Sequence, residues 1–514
     1  MASAANLRSR RSVAELAALA GVEREIRTQD STGRRKYLQD YTRAFRTYES
    51  VLDGEALKAA ARAADILLIG DYHALPASQL FAASLLEERA QPADRPVVLG
   101  VETIFARDQH VLDEWWRREI SEREFRQRIR FDIDWGYDWG PFYALLVAAR
   151  EHGEAIYGLD CMPREDLRKI SARDRHAAHK IAEIRERHPR AVVLVLFGES
   201  HLAPAHLPRE IRKQLPNERV LTVLQNVDAL YWRAAGERAY HVPGVKVSDN
   251  VVCAFNSTPL EKYENYRLHL SRWGRSDQEG PDLTPTIYNL VDGLARFLEI
   301  DRYSSHNSTQ PRFLVDLLPE VYGTGSSGQV VRALTRAKVS EDEIQDLLER
   351  VEAQGSAYMP EINALFVHEF RMMYVAEEVS RFLHQACRGL PRRRTINPKI
   401  AEKDRFYVRV LEQAFGYLGS RILYPARPAI EAKHYEIVSG RARHSDRQPE
   451  LGAELLGSMM GNALYDAYLE GRVTRTGLRR LMLVHIEEPG RAKDIYNQLA
   501  RKVRTLRKKQ SRRQ

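Results

Sequence analysis

Five short apolar runs, separated by longer amphipathic stretches, set the pattern of the chain, and such alternation predicts buried strands joined by helices. The first run is Ile66-Leu67-Leu68-Ile69, closed by Gly70 and followed by Asp71, Tyr72 and His73. The fourth, Val192 to Phe197, is closed by Gly198 and followed by Glu199, Ser200 and His201. The others are Pro96 to Val101, ending at Glu102; Ala155 to Leu159, ending at Asp160; and Arg219 to Leu224, ending at Gln225 and Asn226. Runs rich in β-branched residues and leucine, apolar on both faces, suit the middle of a parallel sheet. The helical stretches between them supply the crossovers that parallel strands need. All five strands then point one way, and Asp71, His73, Glu102, Asp160, Glu199, His201 and Gln225 gather on one sheet edge. That edge is where open α/β sheets bind ligands.

Either side of this region the pattern changes. Residues 1 to about 62 read as polar, charged helix in which Tyr37, Tyr41, Phe45 and Tyr48 recur at helical spacing as a packing stripe. A hairpin over 239–255 and the segment after it close the α/β domain, with a boundary near 300. From 301 to 500 the pattern is mostly helical. There Glu377 and His384 lie two turns apart with Glu378 nearby, a conceivable carboxylate–histidine metal set, and Pro391 to Arg394 form a basic corner. From Arg501 onward eight basic residues and no acidic one argue for a disordered tail with polyanions as its natural contacts.

Composition adds bounds. The chain has 514 residues, 44% hydrophobic and 29% charged, with a formal charge of +9. The tail carries nearly all of that excess, so the body is close to neutral. Three scattered cysteines, Cys161, Cys253 and Cys387, argue for a reducing compartment and against a disulfide framework. No signal-peptide pattern and no apolar run long enough for a bilayer occurs, so a cytoplasmic location is expected.

The chemistry sits in the Gly-x-x-His pattern, which occurs twice in the same strand-end context. Glycine lets the backbone turn sharply or approach a ligand closely, and the histidine then stands beyond the strand. Between the second and third strands, FDIDWGYDWGPFY interleaves Asp132, Asp134 and Asp138 with Trp135, Tyr137 and Trp139. Such a loop either stacks on a flat ligand or packs as a rigid corner.

These motifs, with GLDCMPRE and the following Arg173-Asp174, resemble the ChaN branch of the haem-binding-uptake and Tiki superfamily over about residues 60–275. The resemblance implies an α/β domain whose parallel sheet is flanked by helices, here with an N-terminal helical extension and a C-terminal mostly helical domain. ChaN relatives are associated with haem and a tyrosine ligand, so Tyr72, Trp135, Tyr137, Trp139 and Tyr143 become candidates for haem or another flat iron ligand. Tiki-type relatives are metal-dependent proteases, which maps a divalent-metal set onto His73, Glu102 and His201. In that case Glu199 or Asp71 is the candidate general base for a peptide or ester substrate. Typical ChaN proteins are exported lipoproteins, whereas no lipobox cysteine or export signal is found here. A third reading is a degenerate site on an interaction scaffold.

Overall fold

A computed structural model describes residues 13–29, 36–90, 95–161, 170–237, 241–272, 281–300, 317–388, 402–428, 448–486 and 488–510. The chain divides into two compact units, one of residues 27–269 and one of residues 1–26 with 270–514. The boundaries expected from the sequence were 62 and 300.

In chain order, α1 (Val13–Gln29) and α2 (Lys36–Ala44) precede β1 (Ser50–Leu52), α3 (Gly54–Ala63), β2 (Ile66–Asp71), α4 (Pro76–Arg89) and β3 (Val97–Phe105). Four helices follow, α5 (Gln109–Trp116), α6 (Glu122–Arg128), α7 (Phe131–Asp134) and α8 (Trp139–His152), before β4 (Ala155–Asp160). Next come α9 (Ile170–Arg187), β5 (Val192–Gly198), α10 (Leu207–Gln214), β6 (Val220–Gln225) and α11 (Asp228–Glu237). The hairpin of β7 (Gly244–Ser248) and β8 (Val251–Ala254) leads to α12 (Pro259–Arg272).

The helix starts have local causes. Asp53 caps α3 by accepting from the Ala56 N–H at 2.8 Å. Asp138 of the aromatic loop caps α8, and proline stands in the first turn of α4, where its missing N–H does no harm. The short β1, inside the expected helical extension, was not anticipated.

The sheet of the α/β unit has the order β1-β7-β8-β6-β2-β5-β3-β4. From β8 through β4 all neighbours are parallel, and β7 and β1 add an antiparallel edge. The two Gly-x-x-His strands, β2 and β5, are direct neighbours, with Ile66 opposite Val193 and Asp71 opposite Gly198. Alternate residues feed two cores. Leu67, Ile69, Leu99, Leu194 and Leu196 join Trp115 and Phe142 on one face, while Ile66, Leu68, Val98, Val193 and Val195 join Ile181 and Ile211 on the other. Both faces are covered by helices, which is why the runs are apolar throughout rather than alternating.

β3 runs on past Glu102 to Phe105, and its register with β4 shifts between Val101 and Phe105. This irregularity re-aims Glu102. It also crowds β4, because a Cβ on Gly158 would meet the carbonyl oxygens of Ile104 and Phe105, each at 2.8 Å.

The second unit contains α13 (Thr284–Leu298), β9 (Glu320–Tyr322), α14 (Ser327–Arg336), α15 (Glu341–Gln354), β10 (Ser356–Met359) and β11 (Ala364–Val367). It continues with α16 (Met372–Arg388), α17 (Glu402–Leu423), α18 (Gln448–Leu469), α19 (Arg475–Met482) and α20 (Arg491–Gln510). Asn289 of α13 donates to the Ala18 carbonyl of α1 at 2.8 Å, and Gly293 leaves room for Ala18. Two features differ from expectation. A three-stranded sheet, β10-β11-β9, interrupts the helices, in strands of three or four residues that are too short to show a period. α20 carries helix through the first ten residues of the expected disordered tail, where lysine, arginine, glutamine and leucine, good helix formers, outnumber Val503 and Thr505. Residues 511–514 and the 391–394 corner lie outside the described residues. Among the described residues no helix is long and apolar enough to cross a membrane.

Two glycines test the packing. Gly158→Ala should destabilise the protein by about 1–3 kcal/mol, since backbone on both sides must move. Gly54→Ala, with nothing within 4 Å of the added Cβ, should stabilise by about 0.4–1 kcal/mol. Urea melts of the two variants check both signs.

Candidate functional site

The strand edge is built around Glu102, which is 4% exposed. Arg173 of α9 donates through Nη2 to Glu102 Oε1 at 2.5 Å and, through Nε and Nη2, to the two Asp160 oxygens at 2.8 and 2.9 Å. The Gly198 N–H donates to Glu102 Oε2 at 2.6 Å. A Cβ at position 198 would stand 3.0 Å from that oxygen and 3.3 Å from the His73 ring. The motif glycine that ends β5 is therefore there for close approach. Burial alone would push the Glu102 carboxyl up. Arg173 foremost, then His201, His73 and the Gly198 N–H, overturn this and hold it at about 2.

The two motif histidines face this carboxylate. His73 Nε2 lies 4.0 Å from Glu102 Oε2, and His201 Nε2 lies 3.8 Å from Oε1. Their other nitrogens are fixed, His73 Nδ1 at 2.8 Å from Asp71 Oδ2 and His201 Nδ1 at 2.6 Å from Asp174 Oδ1. A carboxylate accepts, so each Nδ1 carries a proton and each Nε2 is the ring atom turned toward Glu102. Asp71 is held in turn by the Gln79 amide. Burial pushes its carboxyl up, with His73 pulling the other way. Asp174 also accepts from the Tyr37 hydroxyl, and the Tyr37 ring stacks on His206 at 3.6 Å. The two histidines differ in access, with side-chain exposures of 23% for His73 and 4% for His201.

The remaining candidates are divided. Trp135 and Tyr137 stand against His73 at ring distances of 4.4 and 5.2 Å, and Tyr137 stacks on His269 at 4.1 Å. Trp139 and Tyr143 stack on one another instead, Trp139 packs on Phe131, and its Nε1 donates to Glu122 at 2.7 Å. The loop is thus half site wall and half rigid corner. Tyr72 lies under the Lys262 ammonium at 4.4 Å. Glu199 receives that same ammonium at 3.2 Å on both oxygens, so it is a partly buried ion-pair partner of Lys262.

Sequence reasoning missed the roles of Asp174, Tyr37 and Lys262. A signal was present for the first. Arg173 and Asp174 begin the very stripe of α9 that continues through Ala177, Ala178, Ile181 and Ile184, all buried. A charged pair on the apolar face of a helix needs buried partners.

The donor types of His73, Glu102 and His201 suit a metal, and carboxylates behind each imidazole are the usual outer shell. Glu102, however, is engaged by Arg173 and the Gly198 N–H, and among the described residues no group of three or more His, Cys, Asp or Glu is arranged to hold a metal ion. The three-ligand set does not fit. The five aromatic candidates do not form one flat slot either, since Trp139 and Tyr143 belong to the corner.

Residues 57–189 match the family described as haem-binding uptake, Tiki superfamily, ChaN. Among solved structures, ChaN of Campylobacter jejuni, described with cofacial heme binding, is 14% identical; the match covers 39% of this chain and 91% of that one, with a TM-score of 0.27. The type III effector HopBA1 is 15% identical; that match covers 41% of this chain and 96% of that one, with a TM-score of 0.30. At such identities the likeness concerns the fold alone. No curated protein matches the chain.

Glu102 gives the site a signature in acid. Its folded value of about 2 lies below its ordinary 4.5, so its contribution to stability is complete above 4.5 and is lost as the pH falls toward 2. Denaturant melts at stepped pH should show that loss. Glu102→Gln should flatten this part of the curve, while Arg173→Met should cost about 3–5 kcal/mol at neutral pH by stranding buried carboxylates.

Proposed function

With residues 57–189 forming a ChaN-like domain of the haem-binding uptake and Tiki superfamily, we propose that the sheet edge is the centre of a hydrolase acting by proton transfer on an ester or amide. The observation that carries this reading is the convergence of two imidazole Nε2 atoms on one buried carboxylate, each ring locked by its own aspartate. His73, the more exposed ring, takes a proton at Nε2 from a water that attacks the carbonyl carbon, and Asp71 steadies the imidazolium that forms. His201, in its protonated form, gives a proton from Nε2 to the leaving oxygen or nitrogen as the C–O or C–N bond breaks. The proton gained by His73 restores the pair through solvent. Glu102 stays anionic and favours each imidazolium in turn, while Trp135 and Tyr137 wall one side of His73.

A second reading follows the family description toward haem. His73, flanked by Trp135 and Tyr137, is then the side chain that would meet the iron, and Tyr72, beside Lys262, is turned to another group.

Hydrolysis of a panel of activated esters and peptides, run with and without a chelator, separates these possibilities. His73→Ala and His201→Ala should each lower kcat by about 10²–10⁴, and the double variant should lose little more, because residues acting as one unit are not additive. The chelator should leave the rate unchanged. Activity abolished by chelation and restored by a divalent ion would restore the metal-dependent alternative. A stoichiometric haem absorbance band lost in His73→Ala, with no turnover of any substrate, would establish the second reading.

A further inference from the structure

Helix α2 precedes residues 57–189, the segment that matches the family, and takes no part in the chemistry above. It nevertheless grips the short turn Glu199–Leu202 that carries His201. Tyr37, Asp40 and Tyr41, at i, i+3 and i+4, share one face of the helix. Tyr41 is buried in the same core as Phe197 and Leu202. The Tyr37 hydroxyl donates to Asp174 Oδ2, the oxygen that His201 does not use. The Tyr37 ring lies on His206, with centroids 3.6 Å apart and planes at 16°. His206 is itself tied to the turn, since its Nδ1 donates to the Ser200 carbonyl at 2.9 Å, and its Nε2 lies 3.4 Å from Asp40 Oδ2. These contacts close a circuit from Tyr37 through Asp174 to His201, back along the chain to Ser200, and through His206 to Tyr37.

The circuit acts on one torsion. The last bond of an aspartate side chain has only a broad preference, so a carboxylate held at one oxygen can turn and change the angle that it offers. Asp174 is 1% exposed and is held at both oxygens, by His201 at one and Tyr37 at the other. Burial first, and the Asp174 carboxylate after it, push the Tyr37 phenol well up, so the hydroxyl remains a donor. With Asp174 fixed, the proton of the His201 ring is kept on Nδ1 and Nε2 is kept toward Glu102. The other half of the site repeats the arrangement. Asp71 accepts from His73 at Oδ2 and from the Gln79 amide at Oδ1. Each motif histidine thus has an aspartate, and each aspartate has a third side chain that holds its second oxygen.

We propose that Tyr37 is a positioning residue of the strand-edge site: its hydroxyl fixes Asp174, and Asp174 fixes the direction and tautomer of His201. Its effect on the ring stands on the geometry alone, whereas its effect on turnover rests on the hydrolase reading.

Nuclear magnetic resonance of the full chain, labelled with ¹⁵N in histidine, tests the first effect. The His201 Nδ1–H proton, identified by its loss in His201→Ala, should lie far downfield and exchange slowly with water. In Tyr37→Phe, which keeps the ring on His206, it should move upfield or broaden away. Tyr48→Phe removes a hydroxyl from another carboxylate, Glu237, and should leave the signal in place. Absence of the signal from the wild type, or an unchanged signal in Tyr37→Phe, overturns the proposal. Should Tyr37→Phe fail to fold, Asp40→Ala, at a partly exposed position that steadies His206, should shift the signal in the same direction, and no shift overturns the proposal. On any ester or peptide that is turned over, Tyr37→Phe should lower kcat by about tenfold and leave KM within about twofold, because a positioning residue touches no substrate. An unchanged kcat, or a loss confined to KM, overturns it as well. If no substrate is turned over, the hydrolase reading falls and the ring signal alone decides the role of Tyr37.

Discussion

The salt bridge between Glu102 and Arg173 is the interaction on which the geometry of the α/β unit's strand edge depends. Two charges that deep are costly to desolvate, and attraction repays that cost only when the remaining hydrogen-bonding capacity is filled. Here it is filled by Asp160 at the end of β4 and the Gly198 N–H at the end of β5. Three strands and one helix are thereby tied through a single ion pair. Because Arg173 is followed at once by Asp174, the turn of α9 that neutralises Glu102 also orients His201. A displacement of that turn would disturb the anion and the imidazole together.

The two histidine motifs are alike in sequence and unlike in setting. In β2 the aspartate between glycine and histidine holds the ring directly, whereas in β5 the corresponding glutamate turns to Lys262 and the ring takes its partner from α9. The registers differ as well, since Asp71, not Gly70, lies opposite Gly198. A repeated pattern has been placed one step out of phase across neighbouring strands. One ring lies at the solvent boundary and the other lies beneath it, the asymmetry on which the proposed division into acid and base rests.

The parallel sheet, its strand ends and the meeting of His73, Glu102 and His201 were legible because long apolar runs report strands and topology aligns their ends. What lies outside that logic was not legible. Tyr37 reads as one ring of a packing stripe, and only the fold shows its hydroxyl on Asp174. Lys262 sits in a charge-rich helix where nothing marks one lysine as buried, though it is 5% exposed. The aromatic loop was correctly ambiguous, since Trp135 and Trp139 share a composition and differ only in what they meet. In the second unit, strands of three or four residues carry too few positions for a period to register, and the continuation of α20 depends on propensity against a strong run of like charge.

The pairing of β2 with β5 also has a consequence for how this unit comes into being. Ile66 must find Val193 across an intervening stretch that itself holds two strands and most of the flanking helices. Closing so long a loop is entropically late, and sheets of this kind fold slowly for that reason. On a ribosome the strand bearing His73 emerges well before β5, so it must wait, apolar on both faces, with the central position of the sheet empty. The strand-edge site therefore has no partial form. Its carboxylate, its two rings and its guanidinium are brought together in the same event that inserts β5, and the site is incomplete until that insertion.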